Sequence, residues 1–364
     1  MKKFKFLALS LLAAMALTAC GGGNSAETEA AAGGEEATAE EQSSEPLNVV
    51  LLYKGKLGGQ AFIDVVDKGL KQAEEELGIN YSVLENVETS AAADTFRTVI
   101  ANGTDLVIIA DAAWNEALME VAAEYPDTAF AMLDSDGTGV LAETCPNIYE
   151  VSYKEHEAAF LNGVFCALMS KTGKVAQIQG ADTGTMIRFN SGFRAGVQYI
   201  LDVDPPTSVV GFADVNKGYE TAMLYYDQGY DWIAGCAAGS NLGIFQASQE
   251  KGGDNWCCGA ADGQFHLMPD RIVCSQVKTI DQVGYNYIKS VVETGDFKGG
   301  VWDVFGTAEG GVDLIFTDNE ELLSMIPEDT MATYESIRDA VISGDIAVPA
   351  TYEELEAFTA RYEG

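Results

Sequence analysis

The chain has 364 residues, with 21 Lys and Arg against 56 Asp and Glu, a formal net charge of −35. That length holds about two domains of roughly 150 residues each, and 47% hydrophobic beside 21% charged residues describe a folded chain. So acidic a chain repels nucleic-acid phosphates and anionic headgroups, and two histidines leave little for His-based catalysis or a multi-His metal site.

Residues 1–19 join a basic start (Lys2, Lys3, Lys5) to an apolar run from Phe6 to Leu17. The run is shorter than the about 20 residues a spanning helix needs, so it reads as an export signal outside the fold. It ends in Leu17-Thr18-Ala19-Cys20, an order that resembles the bacterial lipobox, whose cysteine is acylated and becomes the mature N-terminus. Cys20 is the expected lipidation site, and more than one acyl chain there would make a stable anchor. Residues 21–46 carry seven Glu, no Lys or Arg and no aromatic residue, the composition of a solvated tether. Residues 1–46 hold three Lys and those seven Glu, a net of −4, so −31 of the −35 belongs to residues 47–364.

From Leu47 short apolar runs alternate with helical periodicity. Strands are expected at Leu47–Tyr53, Tyr81–Leu84, Leu106–Ala110 and Ala129–Leu133, and helices at Ala61–Leu77, Ala91–Ala101 and Asn115–Tyr125. Phe62, Val65, Val66, Leu70, Ala73 and Leu77 make one apolar face, and Gly78 stops that helix. After Tyr149 the rhythm resumes: helix His156–Ser170, strand Lys174–Gln179, helix Met186–Leu201, strand Ser208–Phe212, helix Tyr219–Gln228 and strand Trp232–Ala234. Helix Leu242–Lys251 and strand Trp256–Gly259 follow, then a strand (Ile272–Gln276) and helix (Asp281–Glu293) expected to cross back to the first block. Such alternation implies an α/β fold of two lobes, each a parallel sheet flanked by helices. Residues 47–150 with about 277–305 form the expected first lobe, and 151–276 with about 306–364 the second. Ligands of open parallel sheets bind beyond the carboxyl ends of the strands, which here meet in an interlobe cleft.

Six further cysteines are Cys145, Cys166, Cys236, Cys257, Cys258 and Cys274. An exported chain allows disulfides, but spacing does not assign pairs. Cys166 and Cys236 lie in apolar segments and read as small buried hydrophobes. Adjacent Cys257 and Cys258 face opposite sides of a strand, and no zinc-type CxxC occurs.

Several residues stand at strand ends. A Gly-rich turn, Gly55 to Gly59, enters the helix of Phe62 and exposes N–H groups that suit an anion or polar group, or it is a plain turn. It is neither a Walker A loop nor GxGxxG. Asp111 and Asp134 each follow a strand directly, placed to accept from ligand donors or to cap the next helix. In the second block the turns at Gly239 and Asp262, the segment from Arg188 to Phe193, and Lys278 occupy equivalent places. Lys54, Lys56, Arg188 and Lys278 are the cations expected near the cleft. No GxSxG elbow, HExxH or ordered triad is present, so the expectation is a binding protein without cofactor, metal site or covalent chemistry.

The segments GKLGGQAFIDVVDKGLKQAEEELG, EYPDTAFAMLD, EHEAAFLNGVFCALMSKTGKVAQIQG, RFNSGFRAGV, AAGSNLGIFQASQEKG, GAADGQF and GDFKGGVWDVFGTAEGGV, in this order, are together similar to the basic membrane lipoprotein family, purine-nucleoside-binding proteins of ABC importers. The resemblance runs over nearly all of Leu47–Phe316. It implies a type I periplasmic-binding-protein fold with a three-segment hinge, and a base sandwiched between one ring from each lobe. Matched by motif, Phe62 and Phe189 are those rings, and Gly239, Asp262 and Lys278 the ribose contacts. Three departures stand out. The base-reading Asn of the family is Ile63 here, the Asp upstream of the Gly-rich turn is missing from Tyr53 to Lys56, and Val-Asp-Ser-Asp-Gln has become Ala260-Ala261-Asp262-Gly263-Gln264. The resulting expectation is a monomeric, lipid-anchored binding protein on the outer face of the bacterial cytoplasmic membrane, handing a nucleoside to ABC permease subunits. The alternatives are a surface receptor feeding a sensor and, less favoured, a nucleoside hydrolase.

Overall fold

A computed structural model describes residues 45–58, 62–261 and 263–363, apart from the side chain of Phe62. The export signal, Cys20 and the tether through residue 44 lie outside the described residues.

The chain begins with β1 (Asn48–Leu52), α1 (Phe62–Leu77), β2 (Asn80–Leu84), α2 (Ala92–Ala101), β3 (Leu106–Ile109), α3 (Asn115–Glu124), β4 (Ala129–Met132), α4 (Val140–Thr144) and β5 (Ile148–Tyr153). It continues through α5 (Glu155–Met169), β6 (Val175–Gln179), α6 (Thr185–Leu201), β7 (Thr207–Val209), α7 (Val215–Asp227), β8 (Trp232–Cys236), α8 (Asn241–Lys251), β9 (Trp256–Ala261) and β10 (Ile272–Lys278). Then come α9 (Ile280–Thr294), β11 (Trp302–Phe305), β12 (Val312–Phe316), α10 (Glu320–Ser324), α11 (Glu328–Ser343) and α12 (Tyr352–Ala357).

The strands form two six-stranded sheets, ordered β11-β5-β4-β3-β1-β2 and β12-β10-β9-β8-β6-β7. Every pairing is parallel except the edge pair β10 and β12. Both faces of each sheet are packed. In the first lobe Leu51, Ile108 and Ala131 meet α1 and α9 on one face, while Leu52, Val107 and Phe130 meet α2 and α3 on the other. In the second lobe Trp232, Cys258 and Val273 pack against α5, and Ile233, Cys257 and Ile272 against α7 and α8. Adjacent Cys257 and Cys258 thus sit on opposite faces, as pleating requires. This is the expected fold class, and it follows from near-continuous apolar strands that only doubly covered parallel sheets accommodate.

The first-block elements lie within one or two residues of their expected bounds. α1 ends at Leu77 because Gly78 adopts φ +70, a left-handed cap that glycine takes without penalty. Three strands were not legible. β5 carries Glu150, which is fully buried because it accepts from the N–H groups of Gly139 (3.2 Å) and Ala142 (3.1 Å) at the start of α4. A capping carboxylate inside a strand hides the apolar pattern. β11 and β12 carry Asp303 and Asp313, each bound by a cation: Lys298 at 3.1 Å and Arg338 at 2.5 Å. β10 remains in the second sheet through Lys278, so the return to the first lobe comes after this strand and not with it. β7 stops at Val209, and Phe212 stands half exposed.

The backbone passes between the sheets at three places: from β5 into α5, from β10 into α9, and from β11 into β12. These crossings are tied to one another: Lys154 N donates to Phe305 O (3.0 Å) and Thr279 N to Gly311 O (2.9 Å). Thr307 N donates to Glu157 Oε2 at 2.7 Å.

A charged ring where the two lobes meet

α5 and α6 are held at close range by glycines. A Cβ on Gly192 would lie 2.1 Å from His156 O, and one on Gly196 2.1 Å from Phe160 O, so any side chain would force the helices apart. This contact brings the first turn of α6 over the first turn of α5, setting Arg188 above Glu155. Glu155 is fully buried, and Arg188 Nε donates to its Oε2 at 2.6 Å.

The other oxygen of Glu155 faces Lys278 Nζ at 2.8 Å, and the same ammonium pairs with Asp134 at 2.8 Å. Lys278 also lies 4.9 Å from the centre of the Tyr153 ring, a favourable seat for a desolvated cation. Arg188 Nη1 reaches the main-chain O of Asp136 at 3.0 Å. Asp134 and Asp136 follow β4 in the first lobe, Glu155 and Lys278 sit on two of the hinge crossings, and Arg188 belongs to the second lobe. Four charges from three parts of the fold therefore close a ring at the strand ends.

With two cations and two carboxylates the ring is formally neutral. Burial alone would push both carboxyl groups up. For Glu155 it is the largest single influence, yet Lys278 and Arg188 together outweigh it and hold the group below its usual range. Asp134 is raised: burial wins over the pull of Lys278, and the Glu155 charge adds to the rise. Lys278 is raised although burial opposes charging, because Asp134 and Glu155 both favour the ammonium.

The structure joins some of the sequence candidates and separates others. Asp134 and Lys278, 144 positions apart, share an ion pair. Asp111 caps a short turn, accepting from Ala113 N at 2.9 Å, so one of its oxygens is committed to the fold. Gly239 lies in the short turn Ala238–Ser240 after β8. Phe189 is half buried against the second-lobe core. Ile63 is fully buried in the first-lobe core, a place an amide would occupy only with partners. Phe62 opens α1, but its ring lies outside the described residues, as does Asp262. Of the four cations expected near the cleft, Arg188 and Lys278 are ion-paired, and Lys54 and Lys56 are exposed. Sequence reasoning missed Glu155, which reads as an ordinary acid in a first helical turn. Its only signal was a charge beside the apolar run of α5.

Among the described residues no cluster of His, Cys, Asp and Glu is arranged to hold a metal ion. Two open cavities of about 350 and 390 Å³ lie away from the ring, one beside Asn48, Asn80 and Thr104, the other beside Asn190, Arg194 and Tyr352. The six cysteines are unbridged and buried, with Cys258 Sγ 3.3 Å from both Cys166 Sγ and Cys274 Sγ.

Two mostly parallel six-stranded sheets joined by three crossings define a two-lobed fold of the type I periplasmic-binding-protein class. Residues 47–352 match the family model described as ABC transporter substrate-binding protein PnrA-like, and the chain belongs to that family. It is similar to basic membrane protein D of Borreliella burgdorferi, 27% identical over 326 residues that cover 88% of this chain and 93% of that one. It is 26% identical over 380 residues to the CD4+ T-cell-stimulating antigen of Listeria innocua, covering 96% and 99%. An uncharacterized lipoprotein of Pyrococcus abyssi is 28% identical over 288 residues, covering 74% and 69%. Among solved structures, an ABC transporter solute-binding protein of Aeropyrum pernix superposes with a TM-score of 0.74 at 24% identity, covering 86% of this chain and 96% of that one. One from Conexibacter woesei gives 0.67 at 21% identity, covering 84% and 99%. The chain is thus a substrate-binding component of the ABC transporter type.

Proposed function

We propose that this protein binds an uncharged nucleoside, a purine nucleoside first, between its lobes and presents it to the permease subunits of an ABC importer. The observation that carries this reading is the pairing of Asp134 with Lys278 at 2.8 Å where the lobes meet. The family resemblance places Lys278 at a ribose contact, and Asp134 stands directly at a strand end, where it can accept from ligand donors. An ammonium donates to ribose hydroxyls and a carboxylate accepts from them. A neutral ring beneath the ligand offers no surplus cation for a phosphate, so a nucleoside is favoured over its nucleotide. Phe62 and Phe189 supply the stacking rings in this reading, and base stacking on an aromatic ring contributes about 1–3 kcal/mol. Asp111, Gly239 and Asp262 complete the polar contacts.

The protein acts as a monomer held to the outer face of the cytoplasmic membrane by acyl chains on Cys20, with residues 21–46 as tether. The lobe boundaries near 150, 276 and 305 belong to the same proposal. Calorimetric titration with adenosine, guanosine, inosine, uridine and adenosine monophosphate tests the ligand. Binding of at least one nucleoside in preference to the nucleotide is expected; no heat with any nucleoside rejects the assignment. Labelled palmitate should enter the full chain in cells and be lost in Cys20→Ser.

A further inference from the structure

The ring contains a contact that ligand recognition does not require. Arg188 is carried by α6 in the second lobe, yet its Nη1 donates to the main-chain O of Asp136 in the first lobe. Both ends of this bridge are prepared. At one end Arg188 is anchored on the buried hinge residue Glu155 by Nε (2.6 Å) and Nη2 (3.4 Å), and Nη2 is steadied further by Thr185 Oγ1 at 3.2 Å. At the other, the carboxylate of Asp136 accepts from Thr138 N (3.1 Å), Thr138 Oγ1 (2.7 Å) and Asn115 Nδ2 (3.3 Å). Gly137 turns the chain with φ +83, a conformation that suits glycine. The acceptor carbonyl is therefore held in place by its own turn. A charge-assisted bond between two fixed ends loses little side-chain freedom on forming.

We propose that Arg188 is an interlobe latch, a positioning residue that holds the lobes closed by joining the hinge carboxylate Glu155 to the Asp136 carbonyl. Lys278 makes the complementary tie, from the hinge to Asp134. The latch biases the closed arrangement before ligand arrives, and apparent affinity rises with the closed fraction. Only this consequence for affinity rests on the nucleoside reading, because closure is measured without ligand.

Small-angle X-ray scattering of the ligand-free protein tests it with Arg188→Ala and Arg188→Lys. A lysine keeps a cation for Glu155 but lacks the fork that reaches two acceptors at once. Both variants should show a larger radius of gyration than the native protein, with Arg188→Lys keeping nearly the native melting temperature. Adenosine, as probe, should leave both variants faster, by about tenfold for one charge-assisted hydrogen bond. A native radius in both variants overturns the latch, and so does a melting loss in Arg188→Ala with native radius in Arg188→Lys. If Arg188→Ala does not fold, Arg188→Lys decides alone. If adenosine does not bind the native protein, the nucleoside reading fails and the scattering result still judges the latch.

Discussion

Glu155 is enclosed by protein on all sides and stays ionised because two cations face it from different directions. Removing one partner of such a buried pair commonly costs about 3–5 kcal/mol, since the other charge is left uncompensated. Glu155→Gln should destabilise the protein by about 3 kcal/mol at neutral pH, read from urea unfolding midpoints. The pH dependence has a definite sign. Glu155 is depressed from 4.5, so its contribution is full above that value and fades as pH falls through the lower folded value. Lys278 is raised from 10.5, so its contribution is full below that value and fades as pH rises beyond it. The native protein should lose this stability on acidification, and Glu155→Gln should show a flatter profile there; parallel profiles would show that the carboxylate is not the group involved. The thiols behave differently. Burial pushes Cys236 and Cys257 up to about 12 and Cys166 and Cys274 well above the usual thiol range. At Cys258 burial is outweighed by hydrogen bonds with Cys166 and Cys274, which draw it down to about 6. All six are buried. All six core thiols should be silent to Ellman's reagent in the folded protein and react together on unfolding. Rapid labelling of the native protein would contradict their burial.

Helix packing carries the information that single residues lack. Gly196 and Gly284 both lie inside helices, but a Cβ on Gly196 would meet Phe160 O at 2.1 Å, whereas one on Gly284 would meet Leu133 Cδ1 at 3.4 Å. Gly196→Ala should therefore cost about 1–3 kcal/mol through overpacking. Gly284→Ala should be neutral or gain up to about 1 kcal/mol from helix propensity. Thermal unfolding of the two variants distinguishes them, and similar midpoints would mean that α5 and α6 do not approach as described. Alternation of β-branched runs with amphipathic segments made most of the first ten strands and the helices between them readable, because each such element is dominated by one buried face. Legibility failed where a strand carries a charge held by another part of the chain: Glu150 caps α4, Asp303 pairs with Lys298 and Asp313 with Arg338. The site was readable only in part for a similar reason. Asp134 and Lys278 stand directly at strand ends, but the pairing of Glu155 with Arg188 depends on how two helices cross, which local pattern does not encode.

At the scale of the molecule, the chain as a whole and the ring at the lobe junction have different electrostatics. Residues 47–364 carry −31, while the ring at the lobe junction is formally neutral. A long-range negative field keeps the protein soluble and away from anionic headgroups, and it acts on any charged ligand that approaches. Screening shortens that field from a reach of about 30 Å at 0.01 M salt to about 3 Å at 1 M. If the ligand is the proposed uncharged nucleoside, it gains or loses little from this change, because it brings no net charge into the field. In the proposed site, a nucleotide would bring its phosphate through the field to a ring that is formally neutral. Nucleoside affinity should thus stay within about twofold between 0.01 and 1 M salt, while residual nucleotide binding should strengthen as salt rises. Calorimetric titration at both salt concentrations measures the two slopes. Nucleotide binding that weakens with salt would mean that Lys54, Lys56 or another cation reaches the ligand, and the neutral ring would then not set the preference.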